Sequence, residues 1–310
     1  HTLSADLIRQ SDSMGQTVLC ADFDGDGYDD LLATGQNAGA SDTGLGAIFY
    51  GSESGLPEHQ DEVLEPRLAE NKQYLGAASV YADLDGDGQK DLAIGGWGLI
   101  KGLTADGPHT GGVCIYKGGE DWSQGPAWEL LPEEDAEIQM GAEMILFESD
   151  ACKYLAVGAP SYGDPVSGAV LVYQVGVSGF QNQAPVVILL PEEGTGDVGF
   201  GESLAWIPDY GGAGEGALLA GMKYGDASES ETGTGVVAVY QNDPDGQGFL
   251  SEAGLLAAPQ PASGDGFGGT IVDLGDVNGD GLSDFWVGIA EHLEGDIYTG
   301  TQTGGVVFFH

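Results

Sequence analysis

Three nine-residue stretches of the chain are close copies of one another: DFDGDGYDD at 22–30, DLDGDGQKD at 83–91 and DVNGDGLSD at 276–284. Each carries a side-chain oxygen at positions 1, 3, 5 and 9, a backbone carbonyl at position 7 and a glycine at position 6, where a sharp turn needs one. The first offers Asp22, Asp24, Asp26 and Asp30 with the carbonyl of Tyr28. The second offers Asp83, Asp85, Asp87 and Asp91 with that of Gln89, and the third Asp276, Asn278, Asp280 and Asp284 with that of Leu282. A hard cation that takes six to eight oxygens suits such a loop, so three Ca²⁺ sites are expected; Mg²⁺, which keeps several waters in a strict octahedron, suits it less. A helix-flanked EF-hand would need Glu at position 12, where Ala33, Ile94 and Val287 stand inside apolar stretches. Asp and Gly favour turns even without a metal, but four oxygen-bearing side chains in nine residues at three equivalent places argue for one.

The elements that position these loops repeat. An apolar residue followed by Gly opens each copy, at Gly15, Gly76, Gly141, Gly201 and Gly268, and these markers lie 61, 65, 60 and 67 residues apart. After each marker come a short strand, a loop, an apolar strand, a variable loop, and Gly with a third strand, as in TVLCAD, DLLATG and GAIFYG of the first copy. A further apolar stretch precedes the next marker (VLEPRL, WELLPEE, VVILLPEE, GLLAAP), giving four strands per period. That is the composition of a β-propeller blade. The predicted fold is all-β, a single domain over 1–310. Its blades lie near 14–74, 75–139, 140–199, 200–266 and 267–310, with residues 1–13 supplying the strand that closes the last. The third and fourth copies hold ESDACKY and PDYGGAGEG in place of the acidic loop and must turn without an ion.

Fifty acidic residues against eight basic ones give a formal charge of -42, which repels nucleic acid and anionic lipid, so no nucleic-acid partner is expected. Gly accounts for 55 of 310 residues, yet 41% are hydrophobic, a composition for many tight turns between buried strands rather than for disorder. No apolar run approaches the ~20 residues of a membrane-spanning helix, so no membrane insertion by this chain is expected. Cys20, Cys114 and Cys152 are odd in number and show no metal-type spacing, so no disulfide framework can be read. The two G-x-G-x-x-G matches, at Gly194 and Gly264, are followed by strands rather than by a helix and so lack the context of a dinucleotide site.

The apolar-Gly openings, the D-x-D-x-D-G-x-x-D loops and Gly158-Ala159-Pro160 resemble the FG-GAP repeats of integrin alpha chains, over nearly the whole sequence. The resemblance implies a propeller whose calcium loops are β-hairpins and whose ligand face is the opposite one. The integrin head has seven blades, whereas five copies stand here and one keeps Gly-Ala-Pro, so an incomplete larger ring is the alternative to closure at five. Just after the second strands come Trp97, Tyr162, Tyr224 and His292, on the loops that should leave the face away from the calcium hairpins. These four are the candidate ligand-binding residues, with ring packing between blades as the competing reading. The expected function is an extracellular or cell-surface calcium-binding recognition or adhesion module, not an enzyme, that binds a protein or peptide. A glycan-binding, lectin-like propeller is the alternative, and a propeller hydrolase or a structural spacer lies behind it.

Overall fold

A computed structural model of the chain describes residues 13–39, 42–67, 72–100, 110–133, 137–149, 151–163, 167–178, 180, 184–191, 199–212, 215–226, 232–242, 250–294 and 301–310. Nineteen strands and one turn of 3₁₀ helix make up its regular structure among these residues. The fold is all-β, and its five antiparallel sheets are consistent with the blades of a β-propeller.

The first sheet runs in chain order through β1 (Val18–Ala21), β2 (Asp30–Gly35), β3 (Leu45–Phe49) and β4 (Glu62–Leu64). The second runs through β5 (Leu75–Ala82), β6 (Asp91–Gly96), β7 (Gly112–Tyr116) and β8 (Trp128–Leu130). The third holds β9 (Met144–Ser149), β10 (Cys152–Ala159), β11 (Ala169–Val175) and β12 (Val187–Leu189). The fourth holds β13 (Leu204–Ile207), β14 (Ala217–Met222), β15 (Val236–Asn242) and β16 (Leu250–Leu256). The fifth has three strands, β17 (Phe267–Gly275), β18 (Asp284–Glu294) and β19 (Thr301–Phe309). The fourth strand expected for it from residues 1–13 falls, but for Ser13, outside the described residues.

These are meanders, so successive loops leave opposite ends of each sheet, and the acidic hairpins lie at the end away from the β2–β3 and β6–β7 loops. The middle strands are apolar on both faces, and β3, β6, β7 and β14 are buried at every residue, as strands covered on both sides must be.

By its contacts the chain forms two units, one of residues 1–144 with 175–183, the other of 145–174 with 184–310. In the first, Leu32, Ile48 and Leu64 pack with Leu75, Leu92, Ile94, Cys114 and Tyr116, joining the first sheet to the second. In the second, Leu204, Leu218, Ala238 and Tyr240 pack on Phe147, Tyr154, Val170 and Val172, while Leu219, Val237 and Val239 on the other side of the same sheet meet Phe267, Ile271, Phe285 and Val287. The outer face of the fifth sheet carries Val272, Trp286 and Phe308 in register, each about two-fifths exposed at 42%, 43% and 41%.

One backbone contact recurs within each unit. The apolar residue of each marker donates its N–H to the backbone carbonyl of the Thr or Ser just ahead of the preceding third strand: Leu75 to Thr43 (3.1 Å), Met140 to Thr110 (3.4 Å), Phe200 to Ser167 (3.3 Å) and Phe267 to Thr234 (3.0 Å). Gly44, Gly111, Gly168 and Gly235 follow those hydroxyl residues at φ of +79°, +77°, +89° and +78°. A Cβ at Gly44 would stand 2.2 Å from the Leu75 backbone, and one at Gly235 2.0 Å from that of Phe267, so both conformation and space demand glycine. Thr43, Thr110 and Thr234 are buried there.

No helix among the described residues is long and apolar enough to cross a membrane. The three cysteines are free thiols, Cys114 buried, Cys152 half-buried and Cys20 exposed.

Candidate metal centre

The three acidic nonapeptides connect β1 to β2, β5 to β6 and β17 to β18, and they share one hydrogen-bond frame. The first Asp caps the turn. Asp22 accepts from the N–H groups of Gly25 (2.7 Å), Asp26 (3.1 Å) and Gly27 (3.0 Å), and Asp276 from those of Gly279 (2.6 Å), Asp280 (3.1 Å) and Gly281 (2.9 Å). Asp83 accepts from Gly86 (2.7 Å) and Gly88 (3.0 Å). The third residue accepts from the fifth, at 3.0 Å for Asp24, 3.1 Å for Asp85 and 2.8 Å for Asn278. The fifth accepts from the seventh, so that Asp26 holds the N–H of Tyr28 (2.8 Å), Asp87 that of Gln89 (2.8 Å) and Asp280 that of Leu282 (2.9 Å). Short polar side chains that bond the backbone two to five residues on are what bend such a turn.

The ninth residue has a second task. Asp30, Asp91 and Asp284 are buried, at 1%, 0% and 0% exposure, and one oxygen of each accepts the N–H of the loop's second residue: Phe23 (2.6 Å), Leu84 (3.0 Å) and Val277 (2.8 Å). In the first two sheets the other oxygen accepts the N–H of a glycine just past the third strand, Gly51 (2.7 Å) or Gly118 (2.9 Å). In the third loop the other oxygen of Asp284 accepts from the Asn278 side-chain amide (3.3 Å). Burial raises the pKa of Asp30 and of Asp91, with the backbone N–H groups pulling the other way.

Carboxylates of Asp22, Asp24 and Asp30 lie within 4.8 Å of one another, and so do those of Asp83, Asp85 and Asp91. Asp26 and Asp87 are not in these trios. The third loop, with Asn at its third position, is not among such groups in the described residues. In the second loop the ammonium of Lys117 contacts Asp85 and lies 2.8 Å from Asp87, and its hydrogen bond lowers the Asp87 pKa. Lys117 stands where the first sheet has Tyr50, whose hydroxyl instead donates to Glu62 (2.6 Å). All donors are oxygens, held in a loop already bent, and three acids crowd one point; this set fits a hard divalent cation.

Apolar second residues anchor the first two loops. The Phe23 ring meets Tyr81 edge-on at 5.0 Å and Trp122 at 5.9 Å, and Leu84 is fully buried. Val277 of the third loop is 60% exposed. The fourth sheet makes the same connection without an acidic frame: Tyr210 donates its N–H to the Glu215 carbonyl (3.0 Å) and its ring leans on Phe285 at 5.9 Å. The third sheet turns tightly between Ser149 and Cys152, with Ala151 at φ +60°.

Among the residues expected to meet a ligand, Trp97 stacks on Tyr74 at 3.9 Å and 5° and donates from Nε1 to Gln36 (3.2 Å) in the first unit. Tyr162 and Tyr224 belong to the second unit. Tyr162 is half-buried and its carbonyl accepts from Ser167 and Gly168, both at 3.0 Å, whereas Tyr224 is 53% exposed under the ammonium of Lys223 at 5.3 Å. The side chain of His292 lies outside the described residues. Sequence reasoning missed two things. One is the bracing role of Asp30 and Asp91 toward the third strand. The other is the hydroxyl-Gly pair ahead of the third strand in the first four sheets, visible as Thr43-Gly44, Thr110-Gly111, Ser167-Gly168 and Thr234-Gly235.

Residues 14–50, which carry β1 to β3 and the first acidic loop, match the FG-GAP repeat family, and the sheets of four antiparallel strands are consistent with the blades of a β-propeller.

Proposed function

We propose that this chain is a calcium-stabilised recognition or adhesion module of the extracellular space or cell surface, which binds a protein, peptide or glycan on loops remote from its acidic hairpins. One observation carries the metal part of the reading: three loops of different sequence adopt one hydrogen-bond frame, and two of them press three carboxylates to within 4.8 Å. So many like charges at one point favour a divalent cation, and Asp22, Asp24, Asp30, Asp83, Asp85 and Asp91 would hold it. Asp276, Asn278, Asp280 and Asp284 supply a third, less charged set. Such ions brace hairpins and take no part in chemistry. The charge of -42 makes the folded state depend on cations, which calcium-rich surroundings outside the cell supply.

Titrating calcium into the chelated protein while following melting temperature and heat of binding tests this reading. A rising melting temperature and saturation near three ions is the expected result. Titration without heat or stabilisation would remove calcium from the account.

A further inference from the structure

Lys72, Tyr74, Trp97, Gly98, Glu137 and Gln139 line a cleft of about 270 Å³ in the first unit. Its wall is the stacked Tyr74–Trp97 pair, with the indole fixed by its bond to Gln36. The backbone says these side chains are not incidental. The residue ahead of each apolar-Gly marker is left-handed in all five repeats: Ser13 (φ +51°), Tyr74 (+52°), Gln139 (+58°), Gly199 (+65°) and Gly266 (+65°). Glycine takes that conformation freely, as the fourth and fifth repeats do, whereas a bulky side chain there is strained. The second and third repeats carry that strain with a tyrosine and a glutamine, and both side chains meet in this one cleft. Lys72 adds a third left-handed residue at φ +59°, and Gly98 lets its backbone pass, since a Cβ there would stand 2.1 Å from the Lys72 carbonyl oxygen.

The chemistry of the lining selects among ligands. An ammonium, a carboxylate and an amide surround two aromatic rings, so the cleft is near neutral on a chain of charge -42, where one of only eight basic residues has been placed. An anion meets the field of the whole protein, and a cation meets Lys72. A protein interface needs roughly 1,000 Å² or more, far beyond a cleft of this size. A neutral pyranose offers what the walls ask for: an apolar C–H face for the rings, and hydroxyls that accept from Lys72 and donate to Glu137.

We infer that the Tyr74–Trp97 cleft is a binding site for a neutral sugar residue of a glycan. The inference rests on the recognition reading above and specifies its ligand. The test is calorimetric titration of the calcium-loaded protein with methyl glycosides of glucose, galactose, mannose and N-acetylglucosamine, with glucuronate as an anionic control and tyrosinamide as a peptide-like one. Saturable binding of at least one neutral glycoside is expected, weakened about tenfold by Trp97→Ala and severalfold by Lys72→Met or Glu137→Gln. The last two lie at exposed positions and leave the stacked rings in place. Binding of glucuronate or tyrosinamide alone, binding indifferent to all three substitutions, or no binding by any probe overturns the inference. Calcium-dependent melting of the same samples separates that failure from failure of the calcium-stabilised module itself.

Discussion

Asp30 and Asp24 sit in the same loop but should fail in different ways. The Asp30 carboxylate accepts two buried backbone N–H groups, from Phe23 at 2.6 Å and Gly51 at 2.7 Å, and Asp30→Ala strands both. An unmade bond to a buried group costs about 1–3 kcal/mol, so the loss is ~3 kcal/mol even in chelator. For a cooperative unit of ~150–250 residues that lowers the melting temperature by about 6–12 °C. Asp24 accepts one exposed N–H, from Asp26 at 3.0 Å, and Asp24→Ala should cost only ~0.5 kcal/mol in chelator. In calcium the order of effects changes. An ion present at a hundred times its dissociation constant adds about 2.7 kcal/mol per site, and both variants forfeit the share of the first loop. Paired melting curves with and without calcium read all four values. Equal melting of the two variants in chelator would refute the bracing role of Asp30, and a full calcium gain in Asp24→Ala would refute the metal role of the loop.

Lys117→Met removes the ammonium that shares Asp85 and Asp87, and should tighten calcium at the second loop by about tenfold, since one charge a few Å away is worth a few kcal/mol at most at intermediate dielectric. Calorimetry should show the first loop unchanged, and weaker binding at the second would mean that Lys117 helps to shape the site. Glu143 has its pKa pushed up to about 7 by burial, against the opposing N–H of Met144 at 3.0 Å. The folded state therefore holds that proton more tightly than the unfolded one, and stability is lost as pH rises from the ordinary carboxyl range through 7, by at most ~3 kcal/mol. Glu143→Gln should flatten that slope in melting curves between pH 5 and 8, and a slope unchanged by the substitution would place its origin elsewhere.

Much of the architecture was legible because the repeat is written in short-range terms. Apolar runs such as AVLVY, bounded by glycine, became β11 and its kin, and the nonapeptide spacing placed the hairpins where β1 meets β2 and β17 meets β18. Hidden from the sequence was whatever depends on a neighbouring strand. The carboxylate of Asp30 could be counted as a metal ligand but not as a brace, because Gly51 lies 21 residues on. Lys117 lies 32 residues beyond the Asp85 it contacts, and no local pattern announces that contact. Trp97 could be picked out as an aromatic on a loop, yet its partner Tyr74 looked like an ordinary residue before a marker glycine. Only its left-handed backbone reveals that glycine would have been the easier choice.

The junctions through Gly44, Gly111, Gly168 and Gly235 speak only through peptide groups. A contact made of amide and carbonyl reads the same whichever side chains flank it, so strands on either side are free to drift while register between repeats is kept. Side-chain identity is then released for other duties, and one repeat can acquire an acidic hairpin, another an aromatic wall, a third neither. Against such a backbone code, an alanine at any of these four glycines would disturb the alignment of a whole repeat, whereas replacing the leucine or phenylalanine it touches would disturb only packing.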